Sequence, residues 1–148
     1  MNTTAVSLDA QSLLQMSKAE LDELYRGSHP GPIPAGDARG TAIMFPGTLL
    51  ARVLAQLIFW FVWRGKVFDP EKGELRNKIS PLGILAIRAK VYADNSWLDG
   101  QPTIVLDYSR TSFVAGKIRD EIRQIGPGMY AGKVWWGKRR ILDFALRF

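Results

Sequence analysis

The sequence has no cysteine and a single histidine, His29, in 148 residues. The first absence removes disulfides, thiolate nucleophiles and zinc–cysteine sites. The second removes every metal motif that needs two histidines. A long uninterrupted apolar run is missing too. The most apolar stretch, Leu49 to Trp63, would span only ~23 Å as a helix, against ~30 Å for a bilayer core. Arg52 and Gln56 also interrupt it. The opening residues, MNTTAVSLDAQSLL, have no basic region leading into an apolar one. That leads to the expectation of a cytoplasmic protein without a signal peptide. There is no GxxxxGKS/T phosphate loop, and GPGMYAG follows a predicted helix and precedes a strand, the reverse of a dinucleotide fingerprint. No cofactor and no metal are expected.

Hydrophobic residues make up 47% of the chain and charged ones 23%, with five Trp, four Tyr and seven Phe. That is enough to bury a core within one domain of ordinary size. The net charge of +6 is unevenly placed. Basic and acidic residues balance at 11 each through Ser109, and the remainder carries 9 basic and 3 acidic. A basic C-terminal quarter suits anionic membrane surfaces or nucleic acid, or is simply a solvated face.

Ser17-Lys18-Ala19-Glu20 is a capping box with Met16 and Leu21 placed as a hydrophobic staple. It predicts a helix over 18–26 that stops at Gly27. Residues 1–16 read as a flexible lead-in. GPIPAGDARG (31–40) reads as an ordered loop across the mouth of a barrel, with a ligand lid as its functional reading. TAIMF then reads as a strand, and Pro46-Gly47-Thr48 as a turn into a helix over 49–63. Thr48, Arg52 and Gln56 form one polar stripe on that helix, which marks it as a buried core helix or a membrane-surface helix.

Strands are predicted at GKVFD, at GILAIRAKVYA and at PTIVLDYS, with a hairpin signal at Asp99-Gly100. SFVAGKIRDEIRQIGPG predicts a third helix, with Val114, Ile118, Ile122 and Ile125 as its stripe and Lys117–Glu121 as an i, i+4 pair. MYAGKVWW and RRILDFALRF predict a closing hairpin. The expected fold is α+β, a single domain whose antiparallel sheet curls into a small lipocalin-like barrel with three helices.

LYRGS (24–28), IPAGDARG (33–40), WRGKVF (63–68) and the distal layout together resemble the small GXWXG-type domains of unknown function, and more loosely the lipocalin-like (calycin-like) barrels. The resemblance implies a barrel that takes up a lipophilic small molecule.

The candidate residues follow from strand alternation. Arg88, Lys90 and Tyr92 share one face of their strand, and Tyr108 stands on the neighbouring strand. Were that face to line a cavity, it would hold and polarise a carboxylate or enolate. The alternative is that Arg88 and Lys90 face water while Leu85 and Ile87 face the core. Trp60 and Trp63 are expected to pack on a ligand, and Asp37 and Arg39 to contribute from the loop. His29, the one possible imidazole base, sits between Ser28 and Pro30 without a GxSxG partner, which fits a loop histidine. Asp94, Asn95 and Asp99 lack the spacing of a calcium loop. VWWGKRRI mixes aromatics with cations, as single-strand and membrane contacts do, but a plain hairpin turn accounts for it. The expectation is therefore binding of a lipophilic or aromatic, anionic small molecule. A cofactor-free cyclase, isomerase or lyase using Tyr92, Tyr108 and Arg88 is the alternative, and a peripheral membrane or nucleic-acid module the third.

Overall fold

The computed structural model describes residues 8–43, 63–79, 84–110 and 116–148. Two short helices, α1 (Ala10–Leu14) and α2 (Lys18–Arg26), precede eight strands. These are β1 (Gly36–Ile43), β2 (Trp63–Asp69), β3 (Glu74–Ile79), β4 (Ile84–Asn95), β5 (Pro102–Asp107), β6 (Ile118–Gly126), β7 (Met129–Trp136) and β8 (Arg139–Arg147). Each strand pairs antiparallel with the next, and β8 pairs with β1, so the sheet closes into a barrel without a free edge.

Strand alternation sets the two faces. Ala38, Phe68, Leu75, Ala89, Val91, Ile104, Leu106, Ile122, Val134, Phe144 and Leu146 belong to one buried cluster on the inner face. One end of the lumen is apolar. There Phe148 sets its ring 5.6 Å from both Phe68 and Tyr130. The Tyr130 hydroxyl donates to the Pro32 carbonyl at 2.7 Å, which pins the proline-rich segment over this end. Gly132 is required at the wall. Phe144 lies directly against it, and an added Cβ would collide with that ring.

The helices lie against the outer face of the barrel, α1 on β8 and β1 and α2 on β6. The Ser17 capping box forms as the sequence predicts. Tyr25, fully buried, makes a 2.6 Å hydrogen bond between its hydroxyl and Thr103 Oγ1. Arg123 donates to the Tyr25 carbonyl at 2.9 Å and grips Asp99 with two bonds of 2.7 Å. Lys133 bridges Asp22 of α2 and Asp143 of β8 at 2.8 and 2.6 Å. Leu13 and Leu21 bury against Ile43, Met129 and Ala145.

Several expectations are corrected here. The described residues are mostly β, with two helices rather than three. The third predicted helix is strand β6 from Ile118 onward, and 111–115 lie outside the described residues. Glu121 does not pair with Lys117. It accepts instead from the Trp97 backbone N–H at 2.9 Å and from Arg119 at 3.0 Å. Within residues 1–16, read as a flexible lead-in, Ala10–Leu14 form helix α1, capped by Asp9 and with Leu13 buried. Gly36 to Gly40, read as loop, already belong to β1. The predicted helix over 49–63 lies outside the described residues except for Trp63, which opens β2. Among the described residues, no helix is long and apolar enough to cross a membrane.

Candidate functional site

Four polar side chains meet inside the lumen, each nearly inaccessible: Lys66 from β2, Asn77 from β3, Tyr108 just after β5 and Asp120 from β6. Their strands deliver them by simple alternation. Lys66 shares its face with Phe68, Asn77 with Leu75, Tyr108 with Leu106, and Asp120 with Ile122. Lys66 and Asn77 are direct register partners. A register shift between Trp63 and Gly65 immediately precedes Lys66. Gly65 there takes φ 141, and an added Cβ would strike the Ala38 carbonyl oxygen. Glycine is thus required at the irregularity that sets the lysine's direction.

The Lys66 ammonium is a hub. It donates to Asn77 Oδ1 at 2.7 Å and to the Tyr108 hydroxyl at 2.6 Å, and forms an ion pair with Asp120 Oδ2 at 3.0 Å. Its Nζ lies 5.2 Å from the centre of the Tyr108 ring and 5.5 Å from that of Phe144. The Asn77 amide donates to the Tyr108 hydroxyl at 3.0 Å, and that hydroxyl lies 3.3 Å from Asp120 Oδ2, to which it donates. The second carboxylate oxygen, Asp120 Oδ1, is buried and has no hydrogen-bond partner among the described residues.

The electrostatics follow from burial and closeness. Burial works against the Lys66 cation, but Tyr108 and Asp120 outweigh it and hold its pKa above the usual lysine value. Lys66 is therefore a charged donor rather than a free amine nucleophile. Burial pushes the Tyr108 phenol up to about 12, against the pull of Lys66, so it keeps its proton at neutral pH. Burial likewise raises Asp120 against the pull of Lys66. A hydrogen-bonded network of this kind can fix the polar end of a bound molecule, and a protonated phenol beside an ammonium can donate a proton.

The residues predicted from sequence are only partly gathered here. Tyr108 is in the cluster. Arg88 and Lys90 are exposed on the outer face of β4, and so do not share a wall with Tyr108. Tyr92 also faces outward, where its hydroxyl donates to Asp107 Oδ2 at 2.8 Å. Burial and that carboxylate push its phenol up to about 12. Asp37 is exposed and ion-pairs with Lys78, and Arg39 is exposed. Trp60 lies outside the described residues. His29 is exposed and meets Gln124 only through its backbone. No group of metal-ligating side chains occurs among the described residues. Lys66, Asn77 and Asp120 were missed. The usable signal was the period-two pairing of Lys66 with Phe68, of Leu75 with Asn77, and of Asp120 with Ile118 and Ile122.

The fold and cluster together define an eight-stranded antiparallel β-barrel with a polar hub inside an apolar lumen. No protein-family profile matches the sequence, and no curated protein matches it significantly. Among solved structures, the chain is similar to a protein from Thermomonospora curvata known from its crystal structure. The TM-score is 0.62 at 22% identity, covering 95% of this chain and 98% of that one. At that identity the likeness establishes the fold, and fold leaves function open.

Proposed function

We propose that the barrel binds a lipophilic small molecule in its lumen, with the molecule's polar end on Lys66, Asn77, Tyr108 and Asp120. The observation that carries this reading is the buried Lys66–Asp120 pair in an otherwise apolar interior. Buried ion pairs contribute little to stability against apolar replacements of the same volume. Buried, mutually paired ionisable groups with shifted pKa values are found preferentially at functional sites. An eight-stranded barrel has an interior that side chains fill or that holds one small ligand, the latter as in the lipocalin-like barrels that the sequence resembles. The test is mass spectrometry of the purified protein, first under native conditions and then after solvent extraction. A copurified molecule that is lost in Lys66→Met and Tyr108→Phe, both still folded, supports the reading. A molecule retained undiminished in both variants refutes this placement.

A second reading is favoured by one specific contact, the 2.6 Å bond between the Lys66 ammonium and the Tyr108 hydroxyl. It makes Tyr108 a proton donor for a cofactor-free isomerase, lyase or cyclase in the same lumen. Loss of turnover with binding retained in Tyr108→Phe separates catalyst from carrier.

A further inference from the structure

The inner cluster also says what kind of polar group it accepts. Among the described residues, one cation, Lys66, and one carboxylate, Asp120, face each other there at 3.0 Å, so the pair is internally neutralised. Asp120 Oδ2 is engaged by both Lys66 and Tyr108. Asp120 Oδ1 is buried on a residue only 4% exposed and accepts from no donor among the described residues. A buried carboxylate oxygen left without a donor is costly, and the cost is removed by any group that brings an O–H or N–H. A ligand carboxylate does the reverse. It would set a second negative charge beside the orphan oxygen in a site whose cation is already paired.

We infer that the ligand is a neutral lipophilic molecule whose polar end carries a hydrogen-bond donor, an alcohol, phenol or amide N–H, which donates to Asp120 Oδ1. This rests on the lumen being the binding site, and it replaces the anionic ligand expected from the sequence. Asp120 then acts as the selector: it rewards a donor and rejects an anion.

The experiment is isothermal titration calorimetry of the intact chain at pH 7 with three head groups on two scaffolds. The probes are 2-naphthol, 2-methoxynaphthalene and 2-naphthoate, together with 1-decanol, its methyl ether and decanoate. The hydroxyl compound should bind roughly ten- to hundredfold more tightly than the matched ether, the range for a hydrogen bond to a charged acceptor. The carboxylates should bind most weakly. In Asp120→Asn, with folding checked by its melting curve, the carboxylates should gain affinity, because Lys66 loses its counter-charge. Equal binding of alcohol and ether overturns the inference and leaves the lumen site standing. So does a wild-type preference for carboxylates. Absence of binding by all six probes overturns both. The wild-type ranking decides the matter even if the variant does not fold.

Discussion

Replacing Lys66 by Met is the sharpest perturbation of the inner cluster. Met keeps an unbranched apolar side chain of similar length and removes the cation, which lies 5.2 and 5.5 Å from the centres of the Tyr108 and Phe144 rings. The contacts at 2.6, 2.7 and 3.0 Å to Tyr108, Asn77 and Asp120 go with it. What remains is a buried carboxylate without its charge partner. Breaking a buried pair from one side costs about 3–5 kcal/mol. The double variant Lys66→Met/Asp120→Asn removes the stranded charge as well, so its cost should fall to about 1–2 kcal/mol, the scale of imperfectly satisfied neutral groups. The assay is urea unfolding at pH 7, with m-values compared to confirm that the unfolded states are equivalent. The pH dependence follows from the raised pKa of Asp120. The folded state holds the Asp120 proton at pH values where the unfolded chain has released it, so this group's contribution to stability falls as pH rises from 3.8 through the folded value. Without Lys66 to oppose burial, that window extends further upward. The deficit of Lys66→Met relative to wild type should therefore shrink as pH is lowered towards the ordinary carboxylate value. A single-variant cost under about 1 kcal/mol, or a double variant costing the sum of its singles, would refute the account of a coupled buried pair.

Three further perturbations read other parts of the barrel. Gly132→Ala should destabilise by about 1–3 kcal/mol through the collision with the Phe144 ring, and Phe144→Leu in the same chain should recover part of the loss in a thermal melt. Gly65→Ala should cost more than Gly132→Ala, because it adds unfavourable backbone at φ 141 to a clash with a carbonyl that cannot move aside; an equal or smaller cost would contradict the glycine's role at the bulge. The bidentate hydrogen bonds from Arg123 hold Asp99 below the usual carboxylate range. Asp99→Asn should thus be less stable than wild type at neutral pH, with the gap closing as pH falls through the lowered pKa of Asp99. A gap constant across a pH series of unfolding curves would rule that coupling out.

The strands that alternate cleanly were legible because each has one apolar face and a turn signal at its end. PTIVLDYS and the closing hairpin fall where the sequence puts them. IRDEIRQI was misread because its isoleucines satisfy two periods at once. Ile118, Ile122 and Ile125 fit a helical stripe, while Ile118, Asp120, Ile122 and Gln124 fit one face of a strand. Pairing with β5 and β7 decides between them, and pairing is non-local. The outer face adds to the confusion. Glu121 and Arg123 are charged yet buried, because α2 and the β4–β5 turn cover them with hydrogen-bonding partners.

Misreading β6 as a helix also hid half of the site. On a helix, Asp120 belongs to the polar side of an amphipathic stripe. On a strand, it stands between two isoleucines that point into the lumen. Lys66 was hidden by a different default. A lysine in a half-exposed strand is expected in water, since burying its charge alone is prohibitive. In GKVFD, however, Lys66 shares its face with Phe68, and that face is the inner one. The partners that make this tolerable come from positions 77, 108 and 120, on or beside three other strands. Only Tyr108 could be read locally, because Ile104 and Leu106 carry it inward. An inward charge in a closed barrel is thus written in the sequence as two separated exceptions, a cation and a carboxylate each on an apolar face, and either one alone looks like a surface residue.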